Sequence, residues 1–408
     1  MHYRWTILAV GTAAQAALSA LRQGMPSLAP AFRGELGLSL PQVGMALASV
    51  SFGILLTLLA WGALADRVGE RPVLAGGLTG TAAALVAAAF APGYPSVLAA
   101  LVAAGMLGAS ATGASGRAVM GWFARRERGF ALGVRQMAVP LGGGIAALTL
   151  PVLAAAGGLR AALLAVAGAS AAAALAAARW MREPPPASAS RPVLDAPPPT
   201  RDARIWRLGA GCALLVCAQS GLLGFVVLFL HDARGWSPAS AACVLAAIHL
   251  GGGVARVAAG RWSDRTELRV APMRRLGAAG VVLLGAASLA ISAPSVVLVP
   301  ALIAAGVLVS SWNGLSFTAA AEMSGRARAG TAMSLQNTLL TAAGVVVPLA
   351  FATLVAATSW QAAFALLTLC PLAGLAVLAP LRDEEKGRRD ARRARLGARP
   401  ATLPVTSS

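Results

Sequence analysis

Long apolar runs separated by short polar turns fill this chain from about residue 5 to residue 380. A helix rises about 1.5 Å per residue, so roughly 20 apolar residues cross about 30 Å of hydrocarbon. That ruler predicts twelve membrane-spanning helices, at 5–30, 40–65, 72–92, 96–122, 129–153, 159–180, 206–231, 238–262, 272–293, 295–322, 330–354 and 360–380. Residues 181–204 interrupt the pattern: Pro184-Pro185-Pro186 and Pro197-Pro198-Pro199 flank small residues, and no apolar period survives. This stretch reads as a partly extended linker. The expected fold is an all-α membrane protein of two six-helix bundles, over 1–180 and 205–381, joined by the linker at 181–204. The basic tail at 382–408 has the composition of a disordered segment.

Composition fits that class. Of 408 residues, 57% are hydrophobic and 12% charged, where soluble domains carry about 25% charged residues. The net charge of +19 does not point to nucleic acid, because the basic residues lie between apolar runs and in the tail, without aromatic neighbours to stack on bases. On the twelve-span reading most basic residues fall on one side, with Arg33, Arg160 and Arg234 on the other. The positive-inside rule then places both termini in the cytoplasm of a bacterial inner membrane. The first apolar run is too long for a signal-peptide core and reads as an uncleaved helix. Cys212, Cys217, Cys243 and Cys370 all sit in apolar runs, with neither metal nor disulfide spacing. No cofactor is expected. No Ser-His-acid set, metal cluster or nucleotide loop is present, so neither an enzyme nor an ATP-driven pump is expected.

The two halves echo each other. Gly62 to Arg71 reads G-A-L-A-D-R-V-G-E-R, and Gly260 to Arg265 reads G-R-W-S-D-R. Asp66-Arg67 and Asp264-Arg265 are 198 residues apart. Ala131 to Gln136 aligns with Ala332 to Asn337 at an offset of 201, as do Gly113 with Gly314 and Ser115 with Ser316, while Arg117 falls opposite Thr318. The pattern G-x-L-x-D-R-x-G-x-R, met here by Gly62, Leu64, Asp66, Arg67, Gly69 and Arg71, resembles the signature loop between the second and third helices of the major facilitator superfamily. That resemblance implies a secondary transporter with two pseudo-symmetric bundles and a central cavity. It also implies that Asp66 and Arg71 clasp the bundles on the cytoplasmic side in the outward-open state.

Ionisable groups inside a bilayer are costly and mark function. Here they are Arg22, Arg117, Arg135, Arg256 and His249; the acid nearest the interior, Glu322, lies towards the cytoplasmic end. An excess of buried arginine calls for an anionic partner, and the planar guanidinium suits a carboxylate. Arg22 shares a helix face with Gln15 and Ser19, and His249 precedes Arg256 by seven on one face. Arg135, about two turns from the end of its helix, is expected to snorkel to the interface. Arg117 begins R-A-V-M-G, which is similar to the superfamily's R-x-x-x-G on the fourth helix. Gln219, Asn313 and Gln336 are the polar residues expected to complete a site with Arg22, Arg117, Arg256, Gln15 and His249.

Two narrower resemblances agree. Leu21-Arg22, Pro30 and Leu36-Gly37-Leu38-Ser39 resemble the organic-anion (anion:cation symporter) branch, with Leu21 standing where that branch has Asp. Arg256-x-x-x-Gly260 is similar to the eighth helix of monocarboxylate transporters, whose acid one turn earlier would fall at Gly252. The expectation is alternating-access transport of a small organic anion by a monomeric carrier in the lipid bilayer. A proton or other ion could be coupled, and proton coupling would need His249 or the substrate itself. A drug or metabolite exporter of the same fold is the first alternative. It is weakened for cationic cargo by the lack of a central acid. The second alternative, a non-transporting sensor, is weakened by the intact signature loop.

Overall fold

A computed structural model describes residues 3–123, 127–183, 199–325 and 328–397. Every regular element among them is helical. The first half holds α1 (Tyr3–Gly24), α2 (Ala29–Leu36), α3 (Leu40–Val68), α4 (Glu70–Ala89), α5 (Tyr94–Trp122) and α6 (Arg128–Trp180). The second holds α7 (Ala203–Asp232), α8 (Pro238–Thr266), α9 (Val270–Leu289), α10 (Ser295–Ser311), α11 (Asn313–Ser324), α12 (Ala329–Ala357), α13 (Trp360–Leu367), α14 (Leu369–Val377) and α15 (Ala379–Gly397). Ten stretches among the described residues are long and apolar enough to cross a membrane. One of them, α6, makes two passes, and α1 completes twelve. Gln15, Ser19 and Arg22 dilute the hydropathy of α1, yet it packs along α5 and α6 inside the first bundle.

The breaks have local causes. Pro26 and Pro30 interrupt the first pass because a proline ring clashes with the preceding turn. In α6 the break falls at Gly157 and Gly158, the latter at φ +71°. There the Glu35 carboxylate of α2 accepts the Leu159 N–H at 2.7 Å, capping the helix that restarts. This is the gap the apolar spacing predicted between the fifth and sixth spans.

The tail departs from expectation. Residues 379–397 form α15 rather than a disordered extension. Ala, Leu, Arg and Glu favour helix, and Arg388 pairs with Glu384 one turn earlier. The Pro-rich linker expectation falls mostly on 184–198, outside the described residues, as does the tail beyond 397.

The two bundles pack differently. In the first, Gly53 of α3 lies against the Val102 and Met106 backbones of α5, and Gly105 lies against Val50, so the helices meet backbone to backbone. In the second, Phe225, Phe229, Phe351, Trp360 and Phe364 form one aromatic cluster, with centroids 4.9 to 6.5 Å apart.

The bundles meet along two seams. Gly44 of α3 lies against the Pro348 carbonyl and Ala352 of α12. Gly143 and Gly253 let α6 and α8 approach, facing His249 and Pro140 respectively. Arg33 of α2 ion-pairs with Asp232 of α7 at the end remote from the signature loop. Arg160, over the Phe90 ring at 3.8 Å, and Arg234, donating to the Ala293 carbonyl, lie at that same end.

Candidate functional site

The signature loop joins α3 to α4. Gly69, its turn residue, has φ +88°, the left-handed region where only glycine is unstrained. A Cβ there would also run into the Glu183 carboxylate. Glu183 accepts the Glu70 N–H at 3.1 Å, capping α4. Glu70, 1% exposed, receives the Arg117 guanidinium at 2.9 Å from α5. Arg71 donates to the Ala178 carbonyl of the same bundle at 2.8 Å. Gly62 stands beside Gly113, and Arg67 is exposed. The Asp66 side chain lies outside the described residues. Gly69→Ala is expected to destabilise the protein by about 1–2 kcal/mol through backbone strain, read as a lower melting temperature in detergent. An unchanged value would refute the strain at Gly69.

The second half repeats this arrangement one turn beyond the echo read in the sequence. Arg269, at the offset of Arg71, bonds Asp264 at 2.5 Å and Glu322 at 3.0 Å. Glu267 occupies the place of Gly69 at φ +56°, the single non-glycine with positive φ among the described residues. Glu385 takes the part of Glu183, accepting from Arg269, Val270 and Ala271 N–H at the start of α9. Gly260 and exposed Arg265 complete the second loop.

Arg135 does not snorkel. It is 6% exposed and turns inward, donating to Ser115 Oγ, Gln15 Oε1 and the Thr112 carbonyl, each at 2.8 Å. Gln15 is therefore held inside the first bundle. At the equivalent place in the second bundle stands Gln336, fully buried beside the Cys212 thiol.

The α6–α8 seam collects the rest. Gln23, Val139 and Pro140 from the first bundle face Gln219, Leu223, His249, Gly252, Arg256 and Ser310 from the second around a polar pocket. Its open core, about 10 Å³, fits about one water, so a substrate must part the seam to enter. Arg256 Nη2 donates to the Ser310 carbonyl at 3.2 Å, while its Nε is buried without a partner. His249, 5% exposed, leaves Nε2 unpartnered. Asn313 Nδ2 bridges Gln219 Oε1 and the Ser310 carbonyl, both at 3.0 Å. Arg22 lies at the other seam, donating to Ser51 Oγ at 3.0 Å and standing close to Gly344 of α12. Its chain neighbour Gln23 lines the Arg256 pocket, so the two sites are contiguous through α1.

A larger apolar groove, about 420 Å³, opens on the surface of the first bundle between Thr57, Trp61 and Leu64 of α3 and Ala103, Met106 and Leu107 of α5. Both polar side chains there, Thr57 and Trp61, donate to the Met106 carbonyl at 2.6 Å, leaving nothing for an anion.

The sequence profile of the Major Facilitator Superfamily matches residues 11–348. The chain belongs to the Major Facilitator Superfamily. This facilitator chain is 35% identical over 383 residues to an MFS-type transporter of Mycobacterium tuberculosis, an alignment covering 93% of this chain and 85% of that one. Its fold is similar to that of a bacterial homologue of the human lysosomal transporter Spinster in an inward-facing, unoccupied conformation, with TM-score 0.76, 17% identity, and 94% and 96% of the two chains covered. It is also similar to a human organic anion transporter, with TM-score 0.70, 19% identity, and 93% and 100% covered. The facilitator chain is thus an integral membrane transporter and not an enzyme.

Of the sequence-predicted residues, the fold brings together Arg256, His249, Gln219 and Asn313. It sets Arg22 at the neighbouring seam, Arg117 at the signature loop, and Gln15 and Gln336 within their own bundles. Sequence reasoning missed Glu70, Glu183, Arg269 and Glu385. The exact register of Arg269 with Arg71 was a signal for one of them; Glu183 and Glu385 carry none, because each acts on a helix end far away in sequence, and the partner of Glu70, Arg117, is set by the fold.

Proposed function

We propose that this transporter moves a small organic anion, a carboxylate, by alternating access through the seam pocket at Arg256. The observation that carries the reading is Arg256 itself: a cation in the membrane interior, at the boundary of two bundles, with a buried Nε that nothing satisfies. No carboxylate lines that pocket among the described residues. An isolated buried charge is costly unless paired, and a carboxylate would meet the guanidinium fork with two charge-assisted hydrogen bonds. Gln219, Asn313 and Ser310 supply neutral hydrogen-bonding groups at the rim. Arg22, one residue from Gln23, adds a second positive charge at the adjoining seam. The fold alone does not select the cargo, since transporters of differing description share it. The side chains do.

In this reading both termini are cytoplasmic, the carrier is a monomer, and the signature loops at Asp66 and Asp264 lie on the cytoplasmic face. The test is thermal stabilisation of the purified protein by a panel of carboxylates and matched cationic amines. A carboxylate at a hundred times its dissociation constant should add about 2.7 kcal/mol. Stabilisation by the amines and not the acids would overturn the proposal.

A further inference from the structure

We propose that His249 is the proton site of this carrier, taking up a proton when an anion binds Arg256, so that anion and proton cross together. This rests on the organic-anion reading above. His249 is buried, and its Nε2 has no hydrogen-bond partner. Buried polar atoms are nearly always satisfied, so an orphan in a pocket marks a place that something transient completes. The groups facing it come from every element around the pocket. They are Arg256 from its own helix, Gln23 from α1, Pro140 and Gly143 from α6, Gln219 and Leu223 from α7, and Ser310 from α10. Arg256 is the one charged group in that set. Arg22, next to Gln23, turns to Ser51 instead.

A proton on His249 would add a second cation to a pocket that already holds Arg256 and is closed to water, so burial and then repulsion oppose it. A carboxylate seated on Arg256 reverses the sign, because it neutralises the guanidinium and offers oxygen to an imidazolium N–H. The step is a simple protonation: a hydronium ion gives its proton to the Nε2 lone pair, its O–H bond breaks as the N–H bond forms, and water is left behind. When the anion leaves, Arg256 again opposes the charge and the proton returns to water. A monoanion and its proton add no net charge to the pocket, which removes the cost of carrying bare charge through the seam. By linkage, whatever the anion does for the proton, the proton does for the anion. Anion affinity should rise as pH falls, by up to about tenfold per pH unit while the empty site is neutral and the filled site protonated.

The experiment is calorimetry of the purified full chain with lactate, malonate and benzoate near pH 6.5, in two buffers of different ionisation enthalpy. The wild type is expected to take up roughly one proton per anion bound. His249→Gln, checked for folding by its melting temperature, is expected to bind more weakly, with no proton uptake and no pH slope. His249→Asn serves if the first variant does not fold. Wild-type binding without proton uptake overturns the inference while leaving the anion reading intact, and so does a His249 variant that still takes up the proton. No binding of any of the three acids removes both.

Discussion

Arg256→Ala is expected to abolish carboxylate binding while leaving the empty protein as stable as before, or more so. The two effects have opposite origins. Among the described residues Arg256 has one hydrogen bond, to the Ser310 carbonyl at 3.2 Å, and a buried Nε without a partner. It is a desolvated charge with little return, so its removal relieves a cost. With a carboxylate present the same group makes two charge-assisted hydrogen bonds, each contributing about 1.5–3 kcal/mol, and their loss weakens binding at least about 100-fold. Arg256→Lys keeps the charge but not the fork and should fall between. Melting curves with and without the best carboxylate separate the outcomes. A packing arginine would show a lower melting temperature and an unchanged ligand shift, which would sink the assignment.

Glu385→Ala is expected to destabilise the second bundle by about 2 kcal/mol. The first turn of any helix leaves N–H groups without intrahelical partners. At α9 three of them, on Arg269, Val270 and Ala271, converge on the one Glu385 carboxylate, at 2.5, 3.0 and 3.0 Å. The negative charge also opposes the positive end of the helix dipole. Glu385→Gln keeps an acceptor and loses the charge, so it should cost roughly half as much. Because Arg269 is the residue held, loosening it also frees the bridge to Asp264 and Glu322. An unchanged melting temperature for both variants would mean that water replaces the carboxylate without penalty.

The spans were legible because the bilayer imposes one length and one composition on each. Even the break at Gly157 and Gly158 lay in the gap between the fifth and sixth apolar runs. The α15 helix was not legible, since a charged segment reads as disordered until the helical spacing of Glu384 and Arg388 is considered. Arg135 shows the limit for the site. Two turns from a helix end, a lone arginine has a route to water. Whether it instead turns inward depends on acceptors from Gln15, Thr112 and Ser115, which only the folded bundle assembles. His249 and Arg256 were legible as a pair on one face of α8. Their isolation from any acid followed from the absence of carboxylates in the central spans. What faced them across the seam, Gln23 and Gly143, did not follow from any spacing along the chain.

The Arg33–Asp232 pair carries one more consequence. Its side chains remain 41% and 19% exposed, so it contributes at most about 1 kcal/mol, roughly a fivefold bias in an equilibrium. A pair this exposed is a weak clasp. This one releases at thermal energies, and dissolved salt loosens it further by screening. Raising the ionic strength of the medium bathing that face is therefore expected to weaken this clasp between the two bundles, by at most about fivefold.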